Sequence, residues 1–246
     1  MIYEKNTRIT RRNGNTIALR IFLEKCIRAV FFEMMDCPID HDFIDFGWEQ
    51  EYFWTAPHGT MIHEQMQRIL GLDQMEYTEK SVLFNFLSSI KIRTNCDGID
   101  TRNPDSFILY EFKTKNPKNM KLVNIELQQA ALTAFLFRRE HKLPIRGISL
   151  WYINREKPSE INIYNYDLEN KNSEKYLDIQ ENLRDVMEKG NELNESLEFG
   201  LPPSMNSRFV ILEKFLGKYR KTCNQCRYKT ACTRAKHGLD FRKEIN

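Results

Sequence analysis

The chain has 246 residues, 41% of them hydrophobic, and a net charge of +3, so it can bury a core but its total charge identifies no partner. No apolar run approaches the roughly 18 residues of a membrane span, and the polar N-terminus lacks the apolar centre of a signal peptide. We therefore expect an intracellular, cytoplasmic chain without a membrane partner. Its six cysteines are candidates for metal binding rather than for disulfides.

The N-terminal third is predicted to be helical. Apolar residues at helical spacing predict one helix over residues 16–35, with Cys26 near its middle and Cys37-Pro38 at its end. Residues 38–58, rich in aromatic and acidic side chains, predict a helical or irregular cover. A second helix is predicted from Thr60 onwards, with His63 near its start. A lone histidine in such a place is usually structural, so His63 needs further context before it suggests a function.

The segment 90–115 carries the most informative acidic residues. It predicts two alternating strands around a turn-rich insert, with Asp97 after the first strand and Glu111 and Lys113 on the second. Residues two apart on a strand share a face, so Glu111 and Lys113 project together. Two carboxylates beside an ammonium group suit Mg²⁺ or Mn²⁺, which prefer oxygen ligands. An exposed Glu–Lys pair is the alternative reading, and Asp100 is a rival for Asp97.

The remaining elements complete one main domain. An amphipathic helix is predicted over 121–140, strands over 145–153 and 160–166, a charged helix over 171–197 that ends at Gly200, and a short helix over 207–219. From residue 218 to the end, nine lysines and arginines stand against two acids. A basic tail of this kind suits a polyanionic partner.

Three cysteines in the C-terminal segment have the spacing of a metal site. Cys223, Cys226 and Cys232 form C-x2-C-x5-C. Either His237 completes a local Cys3His zinc site, or Cys26 completes a four-cysteine set suited to an iron–sulfur cluster. Cys37 and Cys96 would then be spare.

The acidic segment resembles a known nuclease motif. Asp97 followed after thirteen residues by Glu111-Phe112-Lys113 is similar to the D…(D/E)-x-K core of PD-(D/E)XK nucleases. G-x-x-x-H-E, with Gly59 and His63, resembles the histidine motif of the RecB-type members.

Two further features of the RecB-like nucleases have counterparts in this chain. Gln128 with Leu132 partly matches the Q-x-x-x-Y helix, with Gln129 as a rival. One cysteine before the nuclease motifs and three near the C-terminus resemble the [4Fe–4S] members from CRISPR adaptation and AddB-type helicase–nucleases. The matching set of cysteines is Cys26, Cys223, Cys226 and Cys232.

The resemblance implies an α/β (α+β) RecB-like restriction-endonuclease fold, a central mixed sheet flanked by helices. An iron–sulfur cluster would join the N-terminal helix to the C-terminal segment. It also implies three regions: a helical region at 1–58, a nuclease core at 59–170, and a helical cover with the cysteine cluster and basic tail at 171–246.

The implied function is metal-dependent DNA exonuclease activity on single-stranded ends. The implied catalytic residues are Asp97, Glu111, Lys113 and Gln128. The implied ligands of Mg²⁺ or Mn²⁺ are His63, Asp97, Glu111 and the Phe112 carbonyl. The basic tail and Arg28 are expected to contact DNA, and other nuclease or helicase subunits are expected partners. The alternative is a non-catalytic nucleic-acid-binding or assembly module on the same fold, with the Cys3His zinc site.

Overall fold

The computed structural model describes residues 16–38, 49–210, 226 and 228–242, and for residues 49–58 it describes the backbone alone. The helices of this part of the chain are α1 (Leu19–Glu24), α2 (Ile27–Met34), α3 (Glu49–Leu70), α4 (Asn124–Glu140), α5 (Glu174–Phe199) and α6 (Lys229–Lys236). The strands are β1 (Thr16–Ala18), β2 (Val82–Leu87), β3 (Ile90–Thr94), β4 (Gly98–Asp100), β5 (Phe107–Lys115), β6 (Ile145–Asn154) and β7 (Ile161–Asp167).

The strands form two mixed sheets. In the first sheet the order is β1-β3-β2, with β1 parallel to β3 and β2 antiparallel to it. In the second sheet the order is β4-β5-β6-β7, and β5 and β6 are parallel while the two outer pairs are antiparallel. A parallel pair needs a long crossover, which α4 supplies between β5 and β6. Mixed sheets flanked by helices are the fold class that the sequence predicts, and the prediction is confirmed.

Helix α4 packs against both the second sheet and α5, and several of its buried side chains are small. Ala130, Ala131 and Ala134 are buried, and alanines allow neighbouring elements to approach a helix backbone closely. Buried side chains of β6 such as Leu150 and Tyr152 are fully covered. A strand that is covered on both faces reads as a nearly continuous apolar run, as β6 does.

Helix α5 has clear signals at both ends. The Ser173 hydroxyl accepts a hydrogen bond from the Tyr176 backbone N–H at 3.1 Å and caps the first turn. Gly200 ends the helix with φ of 65°, in the left-handed region that glycine adopts without strain. The predicted break at Gly200 is therefore found where the sequence places it.

A small core fixes α3 against the second sheet. Ile62 and Met66 of α3 pack with Leu72, Phe112 of β5 and Ile153 of β6, apart from the larger core that fills most of the molecule. Because Phe112 lies between Glu111 and Lys113 on β5, this small core sets the position of α3 relative to those two residues.

The predicted first helix is wrong as a single element. Residues 16–18 form β1, which pairs with Lys91–Arg93 of β3, and a break at Lys25–Cys26 separates α1 from α2. Pairing with another strand overrides the helical spacing of the apolar residues. Cys26 thus lies at the N-terminal cap of α2 with an extended backbone, φ −50° and ψ 134°.

Other boundaries differ less. Helix α3 begins at Glu49 rather than near Thr60 and runs across the predicted region boundary at residue 58. Residues 207–210 form turns, and the rest of the predicted helix 207–219 lies outside the described residues. Helix α6 is not predicted from the sequence. The division into three regions stays a prediction.

Candidate active site

Strand pairing brings the two carboxylates together. In the antiparallel pair of β4 and β5, Gly98 lies opposite Tyr110 and Asp100 opposite Ile108. Asp97 immediately precedes β4, and one of its carboxylate oxygens accepts the backbone N–H of Phe112, the residue after Glu111. Asp97 lies close enough to Glu111 for its negative charge to raise the pKa of Glu111.

Lys113 and a glutamine complete the group on this face. The Lys113 ammonium donates to Glu111 Oε1 at 2.5 Å. Gln129 of α4 donates through Nε2 to the same oxygen at 2.9 Å, and its Oε1 accepts from Lys113 at 3.4 Å. The sequence favours Gln128 for this position, but the side chain that reaches the group is that of Gln129. Consecutive helical residues point about 100° apart, so only one of the two can face the strand.

His63 joins the group from α3. Its Nδ1 lies 3.2 Å from Asp97 Oδ1, and its ring packs edge-on against Phe112 with centroids 5.8 Å apart. The other Asp97 oxygen accepts the backbone N–H of Phe112. A Cβ at Gly59 would lie 3.2 Å from the Thr114 hydroxyl, so glycine lets the start of this helical segment approach β5 closely.

The ligand role expected for Phe112 concerns its carbonyl oxygen. The side chain of Phe112 is fully buried in the small core, and its N–H serves Asp97. These contacts hold the peptide at the site, and the role of the carbonyl stays a prediction.

Asp100 is turned away from the group. Its carboxylate accepts from the Arg102 guanidinium at 2.9 and 2.5 Å and from the Arg102 N–H at 3.0 Å. These hydrogen bonds lower the pKa of Asp100. Of the two aspartates in D-G-I-D, the structure thus brings Asp97 to Glu111 and Lys113 and gives Asp100 a separate partner.

Burial dominates the electrostatics of the site. Glu111 is 3% exposed, and burial raises its pKa to about 7. The charge of Asp97 also raises this pKa, whereas Lys113 and His63 lower it. Burial lowers the pKa of Lys113, but the charges of Glu111 and Asp97 outweigh it and raise the pKa overall. Burial likewise lowers the pKa of His63, but the hydrogen bond to Asp97 and the charge of Asp97 together outweigh it and raise the pKa overall.

The site fits a divalent cation by the chemistry of its donors. Two carboxylates stand beside one ammonium, so with His63 neutral the group carries net negative charge once Glu111 is ionised. Carboxylate oxygens with one imidazole nitrogen are ligands that Mg²⁺ and Mn²⁺ accept. His63, Asp97 and Glu79 also have ligand atoms within 4.8 Å of one another.

Glu79 is a neighbour that sequence reasoning missed. It follows α3 in a turn, with φ of 53°, and its side chain accepts from Gln67 Nε2 at 2.9 Å. The same Gln67 nitrogen donates to the Asp97 backbone oxygen at 2.8 Å. No spacing marks Glu79 in the sequence, because the turn that brings it to Asp97 is set by the packing of α3.

A second ion pair extends the face beyond Lys113. Lys115 donates to Glu126 Oε1 of α4 at 2.5 Å, and the Tyr152 hydroxyl donates to Oε2 at 2.6 Å. Lys115 lies two residues after Lys113, and this period-2 spacing is the signal that could have identified it.

The described cysteines of the predicted cluster lie where α2 and α6 pack together. Cys26 caps α2, and Cys232 of α6 accepts a hydrogen bond from Arg28 Nε of α2 at 3.2 Å. Cys226 precedes α6 and packs against the main core. Cys223 lies outside the described residues. His237, the alternative zinc ligand, is an exposed residue at the end of α6.

Cys37 and Cys96 belong to the core. Burial raises the pKa of Cys37 to about 11 and raises that of Cys96 further, and the Cys96 thiol donates to the Tyr77 carbonyl at 3.3 Å. Neutral thiols of this kind are poor metal ligands, because the thiolate is the ligand.

Arg28 departs from its expected role in DNA contact. It is 4% exposed, with its guanidinium on Cys232 and on the Pro203 carbonyl, so it cannot track a DNA backbone. The described residues of the basic tail, 228–242, include four exposed or half-buried cations, Lys229, Arg234, Lys236 and Arg242.

The comparison with protein families gives one match that spans the site. The model of the PD-(D/E)XK nuclease superfamily matches residues 36–233. No curated protein sequence matches the chain. Within the described residues, no helix combines the length and apolar character that crossing a membrane requires.

Several solved structures are similar. The crystal structure of SSO0001 is 18% identical, with 89% of this chain and 86% of that chain covered and a TM-score of 0.47. An alkaline exonuclease from Laribacter hongkongensis is 11% identical, with 75% and 91% covered and a TM-score of 0.41. A candidate exonuclease from Eubacterium rectale is 12% identical, with 88% and 96% covered and a TM-score of 0.42.

Proposed function

The chain belongs to the PD-(D/E)XK nuclease superfamily, and on that premise we propose that it is a divalent-metal-dependent DNA exonuclease with Asp97, Glu111 and Lys113 as its catalytic residues. One observation carries the proposal: Lys113 is hydrogen-bonded to the buried Glu111, and the Asp97 carboxylate, held by the Phe112 N–H, is close enough for its charge to act on Glu111. A surface hairpin would leave a Glu–Lys pair exposed, whereas Glu111 is 3% exposed.

Asp97 and Glu111, with His63 and the Phe112 carbonyl, would hold Mg²⁺ or Mn²⁺. When bound, the ion would polarise the scissile phosphate and lower the pKa of an attacking water. Lys113 remains an ammonium because two carboxylates raise its pKa. It can therefore donate a hydrogen bond to negative charge that develops on the phosphate.

Gln129 and His63 hold the carboxylates in place. Gln129 joins Glu111 and Lys113, so it fixes the rotamers of both, and His63 fixes Asp97. Orientation of this kind matters because small misplacements of reacting groups cost large factors in rate.

The finer features of the proposal rest on the order of the motifs. Histidine helix, D…E-x-K hairpin and glutamine helix follow one another as in the RecB-like nucleases, which supports exonuclease action on single-stranded ends. If the basic tail binds the DNA backbone mainly through electrostatic contacts, the affinity for DNA should fall as the salt concentration rises.

A four-cysteine metal centre is the second part of the proposal. The packing of α2 on α6 supports Cys26 as the fourth ligand to Cys223, Cys226 and Cys232, and the exposure of His237 disfavours the local zinc set. A [4Fe–4S] cluster there would cross-link nearly the whole chain. Closing a loop of that length restricts the unfolded ensemble and would stabilise the fold by up to about 5 kcal/mol.

The test is a cleavage assay on end-labelled single- and double-stranded DNA of one sequence, with Mg²⁺, Mn²⁺ or a chelator. We expect cleavage only with metal, and loss of it in Glu111→Ala, Lys113→Ala and Asp97→Ala. Asp100→Ala is the matched control, because its carboxylate pairs with Arg102 instead of the site. Cleavage at the wild-type rate by Glu111→Ala, or none by the wild-type protein, would leave a non-catalytic nucleic-acid-binding module as the better reading.

A further inference from the structure

Two buried cations lie beside the cysteines, away from the candidate active site. Arg28 of α2 is 4% exposed and Lys189 of α5 is 7% exposed. Arginine and lysine are rarely buried to this extent unless another group balances their charge, because burying an unpaired ion is costly.

Arg28 faces a sulfur and carbonyl groups. Nε donates to Cys232 Sγ at 3.2 Å, Nη2 lies 3.5 Å from the Cys232 carbonyl, and Nη1 donates to the Pro203 carbonyl. The guanidinium also lies over the Phe32 ring, 5.6 Å from its centroid. Among the described residues, no carboxylate lies within ion-pair distance of Arg28. Among the described groups that form hydrogen bonds with Arg28, the one that can become an anion is therefore the Cys232 thiol.

Lys189 stands at the other side of the centre. Its ammonium donates to the carbonyls of Leu23 at 3.1 Å and Lys25 at 2.8 Å, just before Cys26 in the chain. Cys26 in turn occupies the N-terminal cap of α2, where the helix dipole favours negative charge. No described carboxylate pairs with Lys189 either. Cys232 and Cys26 thus each lie beside a positive charge, and the two cations themselves are shielded from water.

We propose that Arg28 is a positioning residue of the cysteine centre, holding the Cys232 sulfur as a metal-bound thiolate, and that Lys189 supplies a second counter-charge at Cys26. The inference rests on the proposed metal centre. Four thiolates on a [4Fe–4S]²⁺ core, or on Zn²⁺, leave a net charge of about −2, which two cations balance. Three thiolates and a neutral histidine on Zn²⁺ would leave one buried cation without a counter-ion.

A purely structural role for Arg28 makes a different prediction. The hydrogen bond to Pro203 alone would tie the segment after α5 to α2, and its loss would lower stability without altering the metal. The contact of Nε with the sulfur adds an effect on the metal itself, since a nearby cation stabilises the extra negative charge of a reduced cluster.

The experiment uses the full chain purified without oxygen. Iron, sulfide and zinc per chain, the rate of metal loss to a chelator and, for iron, the midpoint potential are measured for the wild type, Arg28→Met, Arg28→Lys and Lys189→Met. Arg20→Met is the matched control, because Arg20 is a solvent-exposed arginine of α1 paired with Glu24. We expect metal loss at least tenfold faster in Arg28→Met, with intermediate loss in Arg28→Lys. The potential should be more negative in Arg28→Met and in Lys189→Met.

The outcomes separate the two proposals. Wild-type rates and potential in a folded Arg28→Met variant overturn the role of Arg28. If that variant does not fold, Arg28→Lys is the test, because it keeps the charge but loses the Nε contact with Cys232. Metal loss from Arg28→Lys at the wild-type rate would refute the inference. A wild-type protein that contains neither iron nor zinc refutes the metal centre and this inference together, and leaves the nuclease assay to be judged on its own.

Discussion

The strongest test of the site separates two adjacent glutamines. Gln129 joins Glu111 to Lys113, whereas Gln128 makes no hydrogen bond to either of them. Gln129→Met keeps the length of the side chain and its helix propensity but removes both hydrogen bonds, so Glu111 loses one neutral donor in a buried place. Gln128→Met makes the same chemical change one position away and serves as the control.

The expected magnitude follows from the charged hydrogen bond. A hydrogen bond to an ionised group contributes about 1.5–3 kcal/mol, and the longer contact with Lys113 adds little. If that energy is realised in the transition state, kcat/KM falls by a factor of roughly 10 to 150. Gln128→Met should stay within about a factor of two, as expected for a substitution outside the site.

The assay is release of labelled nucleotides from a DNA end at saturating Mg²⁺ or Mn²⁺, with circular dichroism to show that both variants fold. Equal rates for the two variants would refute the placement of Gln129, and a loss confined to Gln128→Met would restore the assignment favoured by the sequence. Adding more metal separates the possible causes, because lost ion affinity is recovered at high concentration and lost orientation of Lys113 is not.

Three further predictions concern the metal and the fold. Burial raises the pKa of Glu111 to about 7, and bound metal requires the ionised carboxylate. The affinity for Mn²⁺, measured by calorimetry, should therefore rise from pH 6 to pH 8 and level off above pH 8. An affinity that does not change with pH contradicts this. Gly190→Ala should lower the unfolding free energy by about 1–2 kcal/mol, because overpacking outweighs the gain in helix propensity. The Cβ of an alanine at position 190 would lie 2.5 Å from the buried Phe86 ring. The Cβ of an alanine at position 147 would have no neighbour closer than 3.6 Å, so Gly147→Ala is the control in urea unfolding. Cys232→Ser should release metal and lower the urea midpoint, and an unchanged midpoint with metal retained would count against the cross-link.

The acidic hairpin could be predicted because its information is local. Alternation along β5 puts Glu111 and Lys113 on one face, and the nearby strand β4, which pairs with β5, begins directly after Asp97, so only a short stretch of sequence is involved. Which of two neighbouring glutamines faces the strand depends on the rotation of α4. The packing of α4 against the second sheet and α5 sets that rotation, and a shift of one residue would exchange the two glutamines.

The failures share a long-range cause. Residues 16–18 form a strand because they pair with β3, more than seventy positions later, and helical spacing carries no trace of that pairing. Burial of Arg28 likewise follows from contact with Cys232 and Pro203. A sequence shows that an arginine is charged, but not that a cysteine two hundred residues away will cover it.

The pairing of β4 with β5 sets the backbone positions from which Asp97 and Glu111 project, because Asp97 immediately precedes β4. Interstrand spacing scarcely varies among sheets, so these backbone positions resist changes in the hydrophobic interior. Substitutions in the core behind β5 should therefore lower the free energy of unfolding before they lower the rate of catalysis. Many residues around the site could therefore be substituted while the backbone positions of Asp97 and Glu111 stay the same.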